Sequence, residues 1–509
     1  MTEANQTSAL PDNAADAAAL LAAGRPALIW RKAIADCDTP VGAARRLIEP
    51  GRGDFLLESV EGGEVRGRYS LLGLDPDLVF RGSEGAAEIN RTWRHDVTAF
   101  EPCEGDALAE LRSLAAACRI DVPDALPSAL ACLVGYFGYE TIGLVEALPR
   151  AEPSELALPD LLFVRPTIIL VFDGLSDELF CIAPIWAADD PDAAIEHAGE
   201  RIDETLRSLS QRRPPEPRLD GAVSEPALAP AMAGEDYKSL VAKAKDYILA
   251  GDIFQVVLAQ RFTCPFELPP LALYRSLRRV NPSPFLYFLD LPGFAIVGSS
   301  PEILVRVRDG EVTIRPIAGT RPRGSSSAED KANEASLLAD PKERAEHLML
   351  LDLGRNDVGR VAARGSVEVT DSFTIERYSH VMHIVSNVIG ALDEGRDALD
   401  ALFAGFPAGT VSGAPKIRAC EIIAELEPET RGAYAGGVGY FAPDGAVDSC
   451  IVLRTAVVKD GTMHVQAGAG IVADSDPDYE LAECKAKAGA LIAAARDAVR
   501  VASEPGFGQ

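Results

Sequence analysis

Apolar residues fall mostly in short runs bounded by Gly, Asp and Pro, a punctuation typical of strands. In the first half the runs predict strands at Ala27–Trp30, Asp54–Ser59, Leu130–Tyr136 and Ile168–Phe172. The acidic, Ala-rich stretch Asp192–Leu209 has helical spacing. The second half opens with a helix over Asp236–Ala250, followed by strands at Phe254–Phe262 and Phe285–Asp290. A hairpin-like segment, Glu302–Ile314, turns at Asp309-Gly310, and one long helix is predicted from about Ala328 to Leu353. An amphipathic helix covers Pro415–Leu426, and strands return at Gly436–Phe441, Ser449–Lys459 and Met463–Ala467 before a C-terminal helix near Pro477. Strands and helices come in blocks without strict alternation, which predicts an α+β fold.

One segment breaks the pattern. Residues 210–235 are rich in Pro, Ala and charge and poor in large apolar side chains, and they read as a linker. It separates an N-terminal region, 25–209, from a C-terminal region, 236–500. The first 24 residues carry Glu3, Asp12 and Asp16 without a basic segment, and read as a disordered tail and not a signal peptide.

Composition narrows the function. The chain has 509 residues, 47% of them hydrophobic and 25% charged, as in an ordinary globular protein. With 49 basic against 77 acidic residues the formal charge is −28, and no dense Lys/Arg patch offsets it. Nucleic acid is therefore excluded as a partner. Nine scattered cysteines lack C-x-x-C spacing, which argues against a disulfide framework or an ordinary zinc site and fits a reducing, cytoplasmic setting. No apolar run approaches the roughly 20 residues of a membrane span.

Several residues carry candidate chemistry. Glu343 and Glu346 lie three apart on a predicted helix, and Glu480 and Glu483 repeat the spacing on the C-terminal helix. Four carboxylates converging from two helices suit a hard cation, magnesium best, although two solvated helix faces give the same spacing. Gly319-Thr320 and Gly468-Ala469-Gly470 read as glycine-rich loops whose N–H groups can approach an anionic oxygen, but plain turns look the same. Arg454 interrupts an apolar strand and needs a partner, either a substrate carboxylate or a structural ion pair. His383 and His380 are equal candidates for proton transfer on chemistry alone.

These residues sit in ordered segments: GSSPEILVRV, PIAGTRPRG, AEHLMLLDLGRNDVGRV, RYSHVMHIVS, GTVSGAPKIRA, GGVGYF, SCIVLRTA and QAGAGIVADSDP. The series resembles the successive signatures of the chorismate-utilising enzymes. That resemblance implies a large two-sheet, sandwich-like core flanked by helices. It implies magnesium on Glu346 and Glu483, with Glu343 and Glu480 holding its waters. It implies contacts to chorismate from Tyr434, Arg454, Lys487 and the backbone of Gly468, Ala469 and Gly470, with Gly319 and Thr320 lining the ring. His383 resembles the family's general acid for the departing C4 hydroxyl, with Thr410 beside it, which separates it from His380.

Two positions discriminate within the family. Water-using relatives carry a Lys base where this chain has Gln255, and aminodeoxychorismate synthases often carry a nucleophilic Lys where it has Ala318. The pair resembles the ammonia-using anthranilate synthases, which are magnesium-dependent carbon–oxygen lyases of tryptophan biosynthesis. An aminodeoxychorismate synthase and a non-catalytic regulatory paralogue are the alternatives, the latter disfavoured by the presence of all four Glu, His383, Thr410 and Arg454. Glu58, Ser59, Tyr69, Ser70, Asn281, Pro282, Ser283 and Phe285 resemble a feedback tryptophan site. No G-x-C-x-G elbow surrounds any cysteine. The resemblance therefore implies a separate glutaminase subunit that supplies ammonia within a hetero-oligomer.

Overall fold

The computed structural model describes residues 11, 13–61, 65–186, 190–212, 225–378 and 381–504. The apolar runs pair into two twelve-stranded antiparallel sheets, as the α+β, two-sheet expectation requires. The first runs from Ala27–Ile34 through Asp54–Glu58, Phe285–Leu291 and Thr455–Lys459 to Thr462–Ile471 and Gln255–Pro265. The second runs from Ile317–Pro322 through Val381–Ala391, Ile303–Arg308 and Gly437–Phe441 to Leu133–Phe137 and Leu78–Ser83. Their facing sides share one apolar layer, with Phe55, Ile169 and Ile296 from the first sheet against Tyr136, Leu162 and Val438 from the second. Each such burial contributes roughly 1.5–3 kcal/mol.

Both sheets cross the boundary expected between the two halves of the chain. Asp54–Glu58 pairs with Phe285–Leu291, and Leu133–Phe137 pairs with Gly437–Phe441. The composition shift at 210–235 therefore marks a change along the chain and not a break in the sheets. Its middle, 213–224, lies outside the described residues, as do residues 1–10, residue 12 and the alternative histidine, His380. Within the tail read as disordered, Ala14–Ala22 is helical and buries Ala17 and Leu21.

Three local expectations need correction. The single helix over 328–353 is two helices, Ser327–Ala339 and Pro341–Gly359. Pro341 lacks the N–H needed to continue the first, and Asp340 caps the second by accepting from the N–H groups of Lys342 and Glu343. The strand over 449–459 is broken into Val447–Ile451 and Thr455–Lys459, because Arg454 takes φ 48° and leaves the ladder. Gly319-Thr320 and Gly468–Gly470 lie inside strands and not in free loops. The hairpin Glu368–Arg377/Val381–Ala391, which carries His383, was not expected at all.

Candidate active site

The strand Ile317–Pro322 runs beside Val381–Ala391, with Thr320 opposite His383 and an irregularity between Ala318 and Thr320. Gly319 makes that irregularity, at φ 68°. Its carbonyl lies 2.9 Å from His383 Nδ1, and Thr320 Oγ1 lies 3.1 Å from the same nitrogen. A carbonyl only accepts, so Nδ1 carries the proton and Nε2 is left with its lone pair. Burial first, and then the nearby Arg454 charge, push the imidazole pKa down to about 4. His383 is therefore neutral at pH 7.

The start of the same strand, at Ile317, touches a residue with no role among the sequence-based expectations, Glu302. Glu302 is buried, and Thr410 Oγ1 donates to its Oε2 at 3.2 Å. Burial raises its carboxyl pKa to about 8, against the opposing hydrogen bonds from Thr410 and the Ile317 backbone. At neutral pH this carboxyl holds a proton. The sequence offered one signal, a lone charge in the apolar run SSPEILV, the same signal that singled out Arg454. Arg454 itself has no carboxylate partner among the described residues, and burial lowers its pKa. Its charge acts on His383, and Tyr378 packs edge-on against the His383 ring at 5.5 Å.

The four expected metal ligands border one region without forming a ready-made cluster. Among the described residues, no group of three or more His, Cys, Asp or Glu is poised to hold a metal. Arg321 ties Glu343 at 3.0 Å, and Lys487 ties Glu483 at 2.7 Å while donating to the Gly468 carbonyl at 2.9 Å. Glu346 and Glu480 both feel the charges of Lys342 and Lys487, which sets the two helices face to face. Burial and then the Glu343 charge raise the Glu346 pKa, and burial and the Glu483 charge also raise that of Glu480. Crowded, partly desolvated carboxylate oxygens of this kind fit a hard divalent cation, which would relieve both costs.

Gly468 and Gly470 face the site because nothing larger fits there. A Cβ at Gly468 would lie 2.8 Å from the Tyr434 hydroxyl, and one at Gly470 2.6 Å from Gln255 Nε2. Ala469 points the other way, its side chain sealed in the apolar core, so it offers the site no side chain. Gln255 Nε2 reaches Glu346 Oε1 at 3.5 Å, a weak contact, and Gln255 Oε1 is buried without a partner.

The expected effector residues divide. Glu58, Ser59, Tyr69 and Phe285 line one cavity of about 250 Å³ together with Arg306 and Asp448. Ser70, Asn281, Pro282 and Ser283 are not among its lining residues; Asn281 bonds Ser299, and Ser283 is buried. Glu58 is already held by Tyr274 at 2.6 Å and Arg278 at 2.8 Å.

Comparison with known proteins identifies the family and the fold. A family model described as chorismate binding enzyme matches residues 55–493. The chain therefore belongs to the chorismate binding enzyme family. It is 55% identical over 489 residues to anthranilate synthase component 1 of Cereibacter sphaeroides, covering 96% of this chain and 98% of that protein. The Pseudomonas aeruginosa anthranilate synthase component 1 is 47% identical, covering 91% and 94%. The crystal structure of anthranilate synthase component I from Streptococcus pneumoniae superposes with a TM-score of 0.75 at 35% identity, covering 84% of this chain and 92% of that one. The menaquinone-specific isochorismate synthase MenF of Escherichia coli shares the fold, at 19% identity and a TM-score of 0.67.

Proposed function

We propose that this chain is the chorismate-using component of an anthranilate synthase. It converts chorismate and ammonia to anthranilate, pyruvate and water. The observation that carries this reading is Gln255, a buried amide where a water-activating base would have to stand. An amide cannot deprotonate water, whereas ammonia is already a nucleophile, and the free Gln255 Oε1 can accept one of its N–H groups. Ala318, buried at the other discriminating position, offers no nucleophile.

The residues divide the proton work. Ammonia attacks C2 while the C4–O bond breaks, and the hydroxyl leaves as water with a proton from the protonated Glu302 carboxyl. Thr410 holds that carboxyl in place. In the second step the C2 proton is lost and the enolpyruvyl C–O bond at C3 breaks, which makes the ring aromatic, and the leaving enolpyruvate takes up a proton at its methylene carbon to give pyruvate. His383 suits this step as the acceptor, because its ring is neutral and Nε2 has no hydrogen-bond partner among the described residues. This departs from the family role of acid, and the pKa contrast between His383 and Glu302 is the observation that favours it. Arg454, unpaired, is the grip for a substrate carboxylate, and Lys487 and Tyr434 stand beside the Gly468 backbone.

Magnesium on Glu346 and Glu483, with Glu343 and Glu480 around it, would neutralise the ring carboxylate and orient chorismate. The names of the relatives, component 1, support a second component that supplies ammonia. The cavity at Glu58 suits tryptophan as a feedback inhibitor. Nine free cysteines support a cytoplasmic location, and among the described residues no helix is long and apolar enough to cross a membrane.

The test is incubation of the purified chain with chorismate, magnesium and an ammonium salt. Fluorescent anthranilate is expected; isochorismate or aminodeoxychorismate as the sole product overturns the assignment.

A further inference from the structure

Arg431 belongs neither to the expected site nor to the effector cavity, yet its buried guanidinium bonds a carboxylate and two backbone carbonyls. Its side chain is 1% exposed and that of its partner Glu427 is 3% exposed. Nε donates to Glu427 Oε2 at 2.8 Å, and one terminal nitrogen donates to Glu427 Oε1 at 2.5 Å. The same nitrogen donates to the Val257 carbonyl at 2.7 Å, and the other donates to the Val411 carbonyl at 2.8 Å. The guanidinium packs against the Tyr139 ring at 4.7 Å and the Tyr434 ring at 5.6 Å. Glu427 Oε1 accepts in addition the N–H of Ala259.

Three of the arginine's contacts end on elements of the site. Val257 is two residues from Gln255 on the same strand, and Val411 follows Thr410 in its turn. Tyr434 is the ring whose hydroxyl fills the space left by Gly468. One planar cation thus joins the strand of the amide, the turn that holds the Glu302 carboxyl, and the tyrosine of the carboxylate pocket. Stability does not account for the pair, since replacing a buried ion pair by apolar groups of the same volume is often neutral or stabilising. A guanidinium does what an apolar group cannot: it fixes two backbone carbonyls and two rings at set angles.

We propose that Arg431, oriented by Glu427, is a positioning residue for the reaction, acting through Gln255, Thr410 and Tyr434 without touching substrate. The inference rests on the reading of the site given above. Loosening three elements disturbs the attack geometry more than chorismate binding, because Tyr434 is the one proposed substrate contact among them and Arg454 and Lys487 lie outside the network.

Two variants test this beside the wild type, each checked for a cooperative melt. Arg431→Lys keeps the charge opposite Glu427 but cannot span both carbonyls. The double variant Arg431→Met/Glu427→Gln removes both charges, so that none is left buried and unpaired. For the ammonia-dependent reaction, kcat is expected to fall on the order of 10- to 100-fold in the folded variants, with chorismate KM changed by less than about threefold. Folded variants that keep the wild-type kcat overturn the proposal, as does a loss confined to KM. A wild-type chain that makes no anthranilate overturns the functional reading instead, so the two failures are distinguishable.

Discussion

Glu302 and His383 show how environment, more than residue type, sets a proton role. The carboxyl is pushed up to about 8 by burial and the imidazole down to about 4, and on the mechanism proposed above the glutamate is the acid and the histidine the acceptor. Glu302→Gln keeps the bond to Thr410 but carries no acidic proton, and kcat should fall by about 10²–10⁴-fold with chorismate affinity retained. His383→Ala should stall later, accumulating an aminated, non-aromatic intermediate detectable by mass spectrometry; loss of amination itself would return the acid role to His383. The pH profile carries the same signature. Wild-type turnover should decline as pH rises through about 8, where Glu302 loses its proton. Stability has the same sign: the folded carboxyl pKa lies above its ordinary 4.5, so its contribution is full below that value and is lost as pH rises through about 8. Glu302→Gln should flatten that slope in denaturation curves taken between these limits. Of these two residues only His383 stood out in the sequence. Burial decides the role of Glu302, and a single charge at the head of an apolar run does not reveal which way it points.

At the scale of elements, the Asp340-Pro341 break matters more than either helix. It sets Glu343 in the first turn of Pro341–Gly359, and Arg321 binds both Asp340 at 2.7 Å and Glu343 at 3.0 Å. Asp340→Ala removes the cap and should cost about 0.5–2 kcal/mol in urea denaturation, with more magnesium needed for half-maximal activity as Glu343 loosens. An unchanged midpoint and metal dependence would show that Pro341 alone defines the start. The break was legible in principle, because Asp-Pro is a start signal, but the continuous helical periodicity on both sides concealed it. The hairpin under His383 was hidden for another reason. Glu368–Arg377 is largely exposed, contains Phe373 at φ 53°, and loses register against its partner at two places, so it shows no alternation to read. The strands around Gln255 and Phe285 were plain, because both bury most of their length.

Across the whole molecule, the sheets join what composition separates. The cavity at Glu58 is walled by Ser59 and Tyr69 from the N-terminal region and by Phe285, Arg306 and Asp448 from the C-terminal region. Its rear wall reaches the site directly, since Ile451, next to the lining residue Cys450, donates its N–H to the Glu302 carbonyl at 3.1 Å. A ligand there can therefore bias the proton donor without long-range machinery. Tryptophan should inhibit ammonia-dependent turnover, and Ser59→Phe, which fills the cavity, should abolish the inhibition; inhibition undiminished in that variant would place the effector elsewhere. Sequence motifs made the family plain, but not the cavity, because its walls come from positions some 390 residues apart along the chain (Glu58 to Cys450), brought together only by sheet pairing. The central claim is that this site delivers nitrogen, not water, to C2 of chorismate. It is tested most directly by running the reaction in ¹⁸O-enriched water with ¹⁵N-ammonium and weighing the aromatic product. Anthranilate carrying ¹⁵N and no ¹⁸O is the predicted result; an ¹⁸O-labelled, nitrogen-free product would contradict it.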